Sequence, residues 1–115
     1  MDPSAPKTFR EFWPFYVGEH LDARNRWLHF IGTAAALACI LAALVSGQAW
    51  WLAGAVVGGY ALAWIGHFII ERNRPATFRH PLYSLMGDWK MFALILTGRM
   101  DREVDRIRAE LARKP

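Results

Sequence analysis

Residues 27–70 form a long uncharged stretch that contains no Asp, Glu, Lys or Arg. All fourteen Lys and Arg residues lie on either side of it. The small polar turn Ser46-Gly47-Gln48 divides the stretch into two apolar segments. A helix of about 20 apolar residues spans the roughly 30 Å hydrocarbon core of a bilayer. The stretch therefore predicts an antiparallel hairpin of two membrane helices.

The rest of the chain predicts further helices around this hairpin, in one membrane-embedded domain. The expected fold class is all-α, a small membrane helical bundle. Its parts are a flexible lead at 1–8, an interfacial helix at 9–20, the hairpin helices at 23–46 and 50–71, a third helix at 82–97 and an amphipathic tail helix at 99–113. Asp88 and Lys90 leave two placements of the third helix open, either on the membrane surface or as a third span with Asp88 turned to the bundle interior.

The charge distribution predicts the orientation and excludes several classes of protein. Both flanks of the hairpin are basic while its turn is uncharged, so the positive-inside rule places both termini in the cytoplasm. We expect an integral membrane protein, of the bacterial inner membrane or the endoplasmic reticulum according to source, with the lipid bilayer as a partner. The alternative is a buried soluble hairpin, but 115 residues leave little material to enclose it. No nucleic-acid partner is expected, because no aromatic-interleaved basic face is present.

All four histidines lie next to the cytoplasmic ends of the apolar helices: His20, His29, His67 and His80. An antiparallel hairpin places His29 and His67 at one depth. His20 and His29 are nine residues apart, about 180° apart on a continuous helix. They can share a metal only if one helix ends near His20 and the next begins near Asp22, a residue suited to N-capping. Pro75 and Pro81 interrupt the helix and allow His80 to fold back toward His67.

The residues around these histidines suit a metal site. Neutral imidazole binds iron, zinc, copper and nickel. The polar neighbours that could hold the second ring nitrogens are Glu19, Asp22, Asn25, Glu71 and Asp88. The only cysteine, Cys39, lies in the first apolar helix, which argues against a disulfide framework, a structural zinc or an iron–sulfur cluster. Taken singly, each histidine is also explained as an interfacial hydrogen-bonding group.

Two sequence motifs of this chain, taken together, resemble those of a known family. They are Tyr16-x3-His20-x4-Asn25-Arg26-x2-His29-x2-Gly32, and Gly66-His67-x3-Glu71-x3-Pro75-Ala76 followed by His80-Pro81 and a helix that contains Asp88. The combination, over roughly residues 9–95, resembles the small membrane proteins typified by the 2-hydroxy fatty acid dioxygenase of the endoplasmic reticulum. The resemblance implies a ferrous (Fe2+) enzyme of fatty acid α-oxidation. It cleaves a 2-hydroxy fatty acid with dioxygen to carbon dioxide and a fatty acid one carbon shorter.

The resemblance also implies that the four histidines are the iron ligands and catalytic residues. Four ligands leave two octahedral positions, whereas a bidentate substrate and dioxygen require three. One histidine then acts from outside the ligand set, or the substrate binds through one oxygen, or a ligand leaves during turnover. His80, on the loop between the prolines, is the expected weakest ligand. Arg26 or Arg72 could pair with the substrate carboxylate, or anchor the helices at the interface.

Other functions remain open on the sequence alone. A haem protein would use His29 and His67 as axial ligands. A helical scaffold would use the histidines only for hydrogen bonds, and a structural zinc lies between these alternatives. The sequence leaves open whether the chain forms a homo-oligomer.

Overall fold

The computed structural model describes residues 5–75 and 78–113, and within them every regular element is helical. The elements are α1 (Phe9–Gly18), α2 (Ala23–Ser46), α3 (Trp50–Ile65) with its π-helical continuation Gly66–Glu71, α4 (Pro81–Leu96) and α5 (Met100–Arg113). The predicted all-α class is confirmed. Part of the predicted flexible lead, residues 1–4, and residues 76–77 of the connection between the two prolines lie outside the described residues.

Helices α2 and α3 form the predicted antiparallel hairpin. Cys39 lies opposite Gly54, and Gly32 lies opposite Gly59, so the two helices run past each other in opposite directions. Ala23–Ser46 and Trp50–Glu71 are both long and apolar enough to cross a membrane, and only 11% of the apolar window of each is buried inside the protein. A core helix of a soluble protein would be mostly buried. The apolar side chains of this hairpin therefore face outward.

The other helices form a small core at one end of the hairpin. The buried side chains of this core come from α1, α4 and α5: Phe12, Trp13, Tyr16, Val17, Met91, Met100, Val104 and Ile107. The indole Nε1 of Trp13 donates to Glu103 Oε1 at 2.7 Å, which joins α1 to α5. Lys90 of α4 places its Nζ 4.3 Å from the centre of the Trp13 ring. The aromatic residues of α1 are thus mainly core residues.

Helix α4 packs against the hairpin as well as against α1. Phe92 stacks on Phe30 of α2, with ring centroids 4.9 Å apart. One turn earlier on the same face of α4, Asp88 accepts a hydrogen bond from the Tyr16 hydroxyl. Asp88 is therefore turned to the bundle interior, the orientation that one of the two predicted placements requires.

Candidate metal centre

His20 lies in a break between α1 and α2. Helix α1 ends at Gly18, and the Asp22 side chain accepts a hydrogen bond from the Arg24 backbone N–H to cap α2. The sequence required this break for His20 and His29 to approach each other. The Arg26 guanidinium donates to the His20 carbonyl at 2.8 Å and holds the short connection against α2. The His20 side chain is only 1% exposed.

His67 is positioned by the π-helical end of the hairpin. π-Helical segments are rare in proteins, and the short ones that occur often lie at functional sites. The segment ends at Arg72, which has a left-handed backbone with φ 57°. This turn brings Asn73 back, so that its N–H donates to the His67 carbonyl at 2.9 Å and its Oδ1 lies 2.7 Å from His67 Nδ1. Asn73 was not predicted as a site residue, although Arg72-Asn73-Arg74 repeats the triplet Arg24-Asn25-Arg26.

The imidazoles of His20, His29 and His67 form one buried group. Their potential ligand nitrogens all lie within 4.8 Å of one another. The Nε2 atoms of His20 and His29 are 3.3 Å apart. The three ring centroids are separated by 4.5 to 4.9 Å, and the rings are nearly perpendicular in pairs. Three potential ligand nitrogens therefore lie close enough together to hold one metal ion.

Hydrogen bonds assign the same tautomer to all three rings. The Nδ1 atom of His20 lies 2.6 Å from the Tyr16 carbonyl, and that of His29 lies 3.0 Å from the Asn25 carbonyl. His67 Nδ1 faces the Asn73 oxygen. Because each partner is an acceptor, each Nδ1 carries the proton and each Nε2 keeps its lone pair. This is the arrangement that second hydrogen bonds impose on metal-binding histidines.

A cavity of about 410 Å³ opens from the three imidazoles. The hairpin lines most of it, through Thr33, Ala36, Ile40, Ala55, Val56, Gly59, Tyr60, Ala63 and Trp64, and α4 contributes Ser84, Leu85, Asp88 and Trp89. The hairpin side of the lining is mainly apolar, with Thr33 and Tyr60 as its polar residues apart from the histidines, and α4 adds the polar side chains of Ser84 and Asp88. Such a cavity suits an elongated ligand with an apolar tail and a polar head.

The family model described as 2-hydroxy-palmitic acid dioxygenase Mpo1-like matches residues 6–100. The chain belongs to the Mpo1-like family. The match includes all three clustered histidines and confirms the resemblance found in the sequence. Comparisons with curated proteins and with solved structures found no significant match.

His80 stands apart from the three-histidine group of this Mpo1-like chain. Its ring packs against Phe12 and Phe15, with centroids 5.5 and 6.5 Å away. Among the described residues, the group that can hold a metal consists of the other three histidines. A role of His80 as a fourth ligand stays a prediction from the sequence.

The side chains of the predicted polar neighbours hydrogen-bond mainly to backbone groups and to one another. Glu71 Oε1 accepts from the Asp22 N–H at 2.7 Å and from the Asn25 side chain at 3.3 Å, which ties the end of the hairpin to its beginning. The Asn25 side chain is fully buried against Gly66. A Cβ atom at position 66 would collide with the Asn25 side-chain oxygen, so only glycine fits there.

The two arginines predicted to pair with a carboxylate do not line the cavity. Arg26 is buried, bonds the His20 carbonyl, and places its Nη2 3.7 Å from Asp101. Arg72 is exposed at the left-handed turn. In this structure Arg26 therefore positions the chain at His20.

Tyr16 connects the imidazole group to α4. Its ring stacks on His20, with centroids 4.0 Å apart, and its hydroxyl donates to Asp88 at 2.5 Å. A Cβ atom at position 87 would lie 2.8 Å from the Tyr16 ring, so Gly87 permits this close approach. Asp88 thus acts through Tyr16 and has no direct hydrogen bond to a histidine within the described part of the chain. Tyr16 begins the first of the two family motifs, but the sequence assigned it no role in the site.

Burial sets the protonation of the polar groups outside the hairpin. Burial, followed by the neighbouring imidazoles of His29 and His67, lowers the pKa of His20 well below its ordinary value. His20 is therefore neutral at pH 7 and able to bind a metal. Burial also raises the pKa of Asp88 to about 6 and raises the pKa of Tyr16 well above its ordinary value. Tyr16 consequently stays protonated and donates to Asp88.

Proposed function

We propose that this Mpo1-like protein is an iron(II)-dependent dioxygenase that cleaves 2-hydroxy fatty acids. The observation that carries the proposal is the group of three buried imidazoles, each with a free Nε2, at one end of a largely apolar cavity. The description of the family names a dioxygenase of a 2-hydroxy fatty acid. The residues of the site fit that chemistry.

The donor set supports a ferrous ion held by His20, His29 and His67. Neutral imidazoles suit iron, and fixed Nδ1–H groups orient the rings for binding. These three residues would hold the ion through their Nε2 atoms and would leave the cavity side open to the acid. When bound, a ferrous ion supplies a redox-active Lewis acid at which dioxygen and the acid can react. Zinc would bind to the same nitrogens but has no redox chemistry.

The cavity supports a fatty acid as substrate. Its apolar wall follows the hairpin from His67 to Val56, which is about 16 Å of helix at the usual rise per residue. An extended acyl tail fits along this wall, where it is removed from water. The polar head of the acid then lies at the imidazole end. The protein's contribution is to hold the head in one orientation and to exclude water from it.

The proposed reaction balances without an external reductant. The C1–C2 bond of the 2-hydroxy acid breaks, and C1 leaves as carbon dioxide. C2 becomes the carboxyl carbon of the shortened fatty acid, and one water is formed. The substrate supplies all the electrons that reduce dioxygen.

The outward-facing apolar side chains of the hairpin support insertion into a membrane. Leu44 and Val45, near the turn, are 76% and 89% exposed, and Trp50 follows the turn at 60%. Such a surface is costly in water and favourable in lipid. With basic flanks and an uncharged turn, the proposed orientation has both termini in the cytoplasm. The acyl substrate would then enter the cavity from the bilayer.

The alternative of a haem protein fits this geometry less well. The His29 and His67 ring centroids are 4.9 Å apart, and His20 lies within 4.6 Å of both. A porphyrin between two axial histidines needs a clear plane between the rings. The third imidazole occupies that region.

The test is turnover by the full chain, purified in detergent and loaded with ferrous iron under anaerobic conditions. On addition of dioxygen and 2-hydroxypalmitate, we expect one dioxygen consumed for each 15-carbon acid and each carbon dioxide formed. The His29→Ala variant is the control and should form no product. Iron-loaded protein that consumes no dioxygen with any 2-hydroxy acid would refute the proposed reaction.

A further inference from the structure

Ser84 carries a buried hydroxyl that lacks a hydrogen-bond partner. The residue is 3% exposed, lines the cavity, and its Oγ has no partner among the described residues. Its backbone N–H donates to the His80 carbonyl at 2.8 Å, so the local helix is regular. A buried hydroxyl without a partner costs free energy, and such groups are normally satisfied. Because Ser84 lines the cavity, a ligand there is the candidate partner of this hydroxyl.

The surroundings of Ser84 favour a neutral partner. Asp88 lies one turn further along α4, on the same face, and both residues line the cavity. The Asp88 carboxyl is held by the Tyr16 hydroxyl. A ligand carboxylate bonded directly to Ser84 would be repelled by that of Asp88. A ligand hydroxyl in that position lets the adjacent carboxylate turn away from Asp88.

We propose that the Ser84 hydroxyl hydrogen-bonds the 2-hydroxyl group of a 2-hydroxy fatty acid and selects this acid over the unsubstituted one. This inference rests on the proposed function. A hydroxyl can donate and accept, so it can pair with an alcohol in either direction. An acid without the 2-hydroxyl leaves Ser84 unpaired in the occupied cavity. A site of this kind discriminates against the analogue that lacks the hydroxyl because its own polar group stays unsatisfied.

The experiment measures dissociation constants of 2-hydroxypalmitate and palmitate for the iron-loaded full chain, under anaerobic conditions that prevent turnover. The wild-type chain should bind the 2-hydroxy acid more tightly. In Ser84→Ala, the ratio of the two constants should fall by about tenfold, the effect of one hydrogen bond. Ser84→Thr keeps the hydroxyl and is the matched control, so it should keep most of the preference.

A second measurement separates a role in binding from a role in folding. Removing an unpaired buried hydroxyl should leave the melting temperature of the ligand-free protein unchanged or raised. A hydroxyl that supports the fold would instead make Ser84→Ala less stable than the wild type, and that result would count against the inference.

The two proposals can fail separately. If the wild type prefers the 2-hydroxy acid and Ser84→Ala keeps the full preference, the role of Ser84 is overturned while the proposed function stands. If the wild type shows neither preference nor turnover, both are overturned.

Discussion

The Nδ1 atom of His67 lies 2.7 Å from Oδ1 of Asn73. The same Asn73 side chain donates through Nδ2 to the Glu19 carbonyl at 3.0 Å, next to His20 in the chain. One carboxamide therefore orients the His67 ring and fixes the segment that carries His20. Two of the three converging imidazoles depend on a residue that binds no metal itself.

Replacing Asn73 should weaken metal binding. We expect the affinity of Asn73→Ala for ferrous iron to fall by about 10- to 100-fold, the usual effect of removing the partner of a metal-binding histidine. Asn73→Asp keeps an acceptor for Nδ1–H and should lose less. Competition titration with a chelator measures both. Equal affinities of Asn73→Ala and the wild type would contradict the positioning role.

The contact between Gly66 and Asn25 makes a prediction about stability. Gly66→Ala should lower the free energy of unfolding by about 1–3 kcal/mol or more, because the added methyl group must displace a fully buried side chain. Gly58→Ala is the matched control on the same hairpin helix, since a Cβ there meets nothing within 4 Å. That change should be neutral or slightly stabilising. Thermal unfolding in detergent compares the variants, and equal melting temperatures would show that the predicted clash is relieved without cost.

Asp88 makes stability depend on pH. Its pKa is raised to about 6 by burial, against about 3.9 in an unfolded chain. The folded protein therefore binds the proton more tightly, and its stability falls as pH rises from about 4 to about 6. Asp88→Asn cannot ionise and still accepts from Tyr16, so it should be more stable than the wild type by roughly 1–2 kcal/mol at pH 7.5. At pH 4 the difference should vanish. A gain of equal size at both pH values would exclude ionisation as its cause.

The far end of the cavity should set the preferred chain length. Ala55 is buried and lines this end, so Ala55→Leu should shorten the space available to the acyl tail. We expect the kcat/KM ratio of 2-hydroxypalmitate to 2-hydroxydecanoate to fall by about tenfold or more. Val57→Leu adds a methylene group at an exposed position outside the lining and should leave the ratio unchanged. An unchanged ratio in Ala55→Leu would place the acyl tail elsewhere.

The sequence predicted the hairpin and the break at Asp22 well, because both depend on local signals. An uncharged stretch, a polar turn and a capping aspartate need no knowledge of distant residues. The approach of His29 and His67 also followed from the hairpin alone. The position of a residue along either helix of the hairpin therefore predicted its depth in the fold.

The parts of the site that the sequence did not predict depend on contacts between distant segments. Asn73 reaches His67 only because the π-helical segment ends in a left-handed turn at Arg72, for which the sequence has no clear signal. Tyr16 and His20 are only four residues apart, so their stacking is local, but the hydrogen bond from the Tyr16 hydroxyl to Asp88 depends on the packing of α1 against α4. His80 was expected to fold toward His67, whereas its ring packs against the Phe12 and Phe15 rings. A proline predicts where a helix ends, but it does not predict the position of the residues that follow.

His20, His29 and His67 are proposed to hold the metal. The iron content of four single variants tests this ligand set: His20→Ala, His29→Ala, His67→Ala and His80→Ala, reconstituted identically and measured by elemental analysis. We expect stoichiometric iron in the wild type and in His80→Ala, and loss of iron in each of the other three variants. Iron that persists in the His20, His29 and His67 variants, or that is lost in His80→Ala while they retain it, would show that these three histidines do not hold the metal.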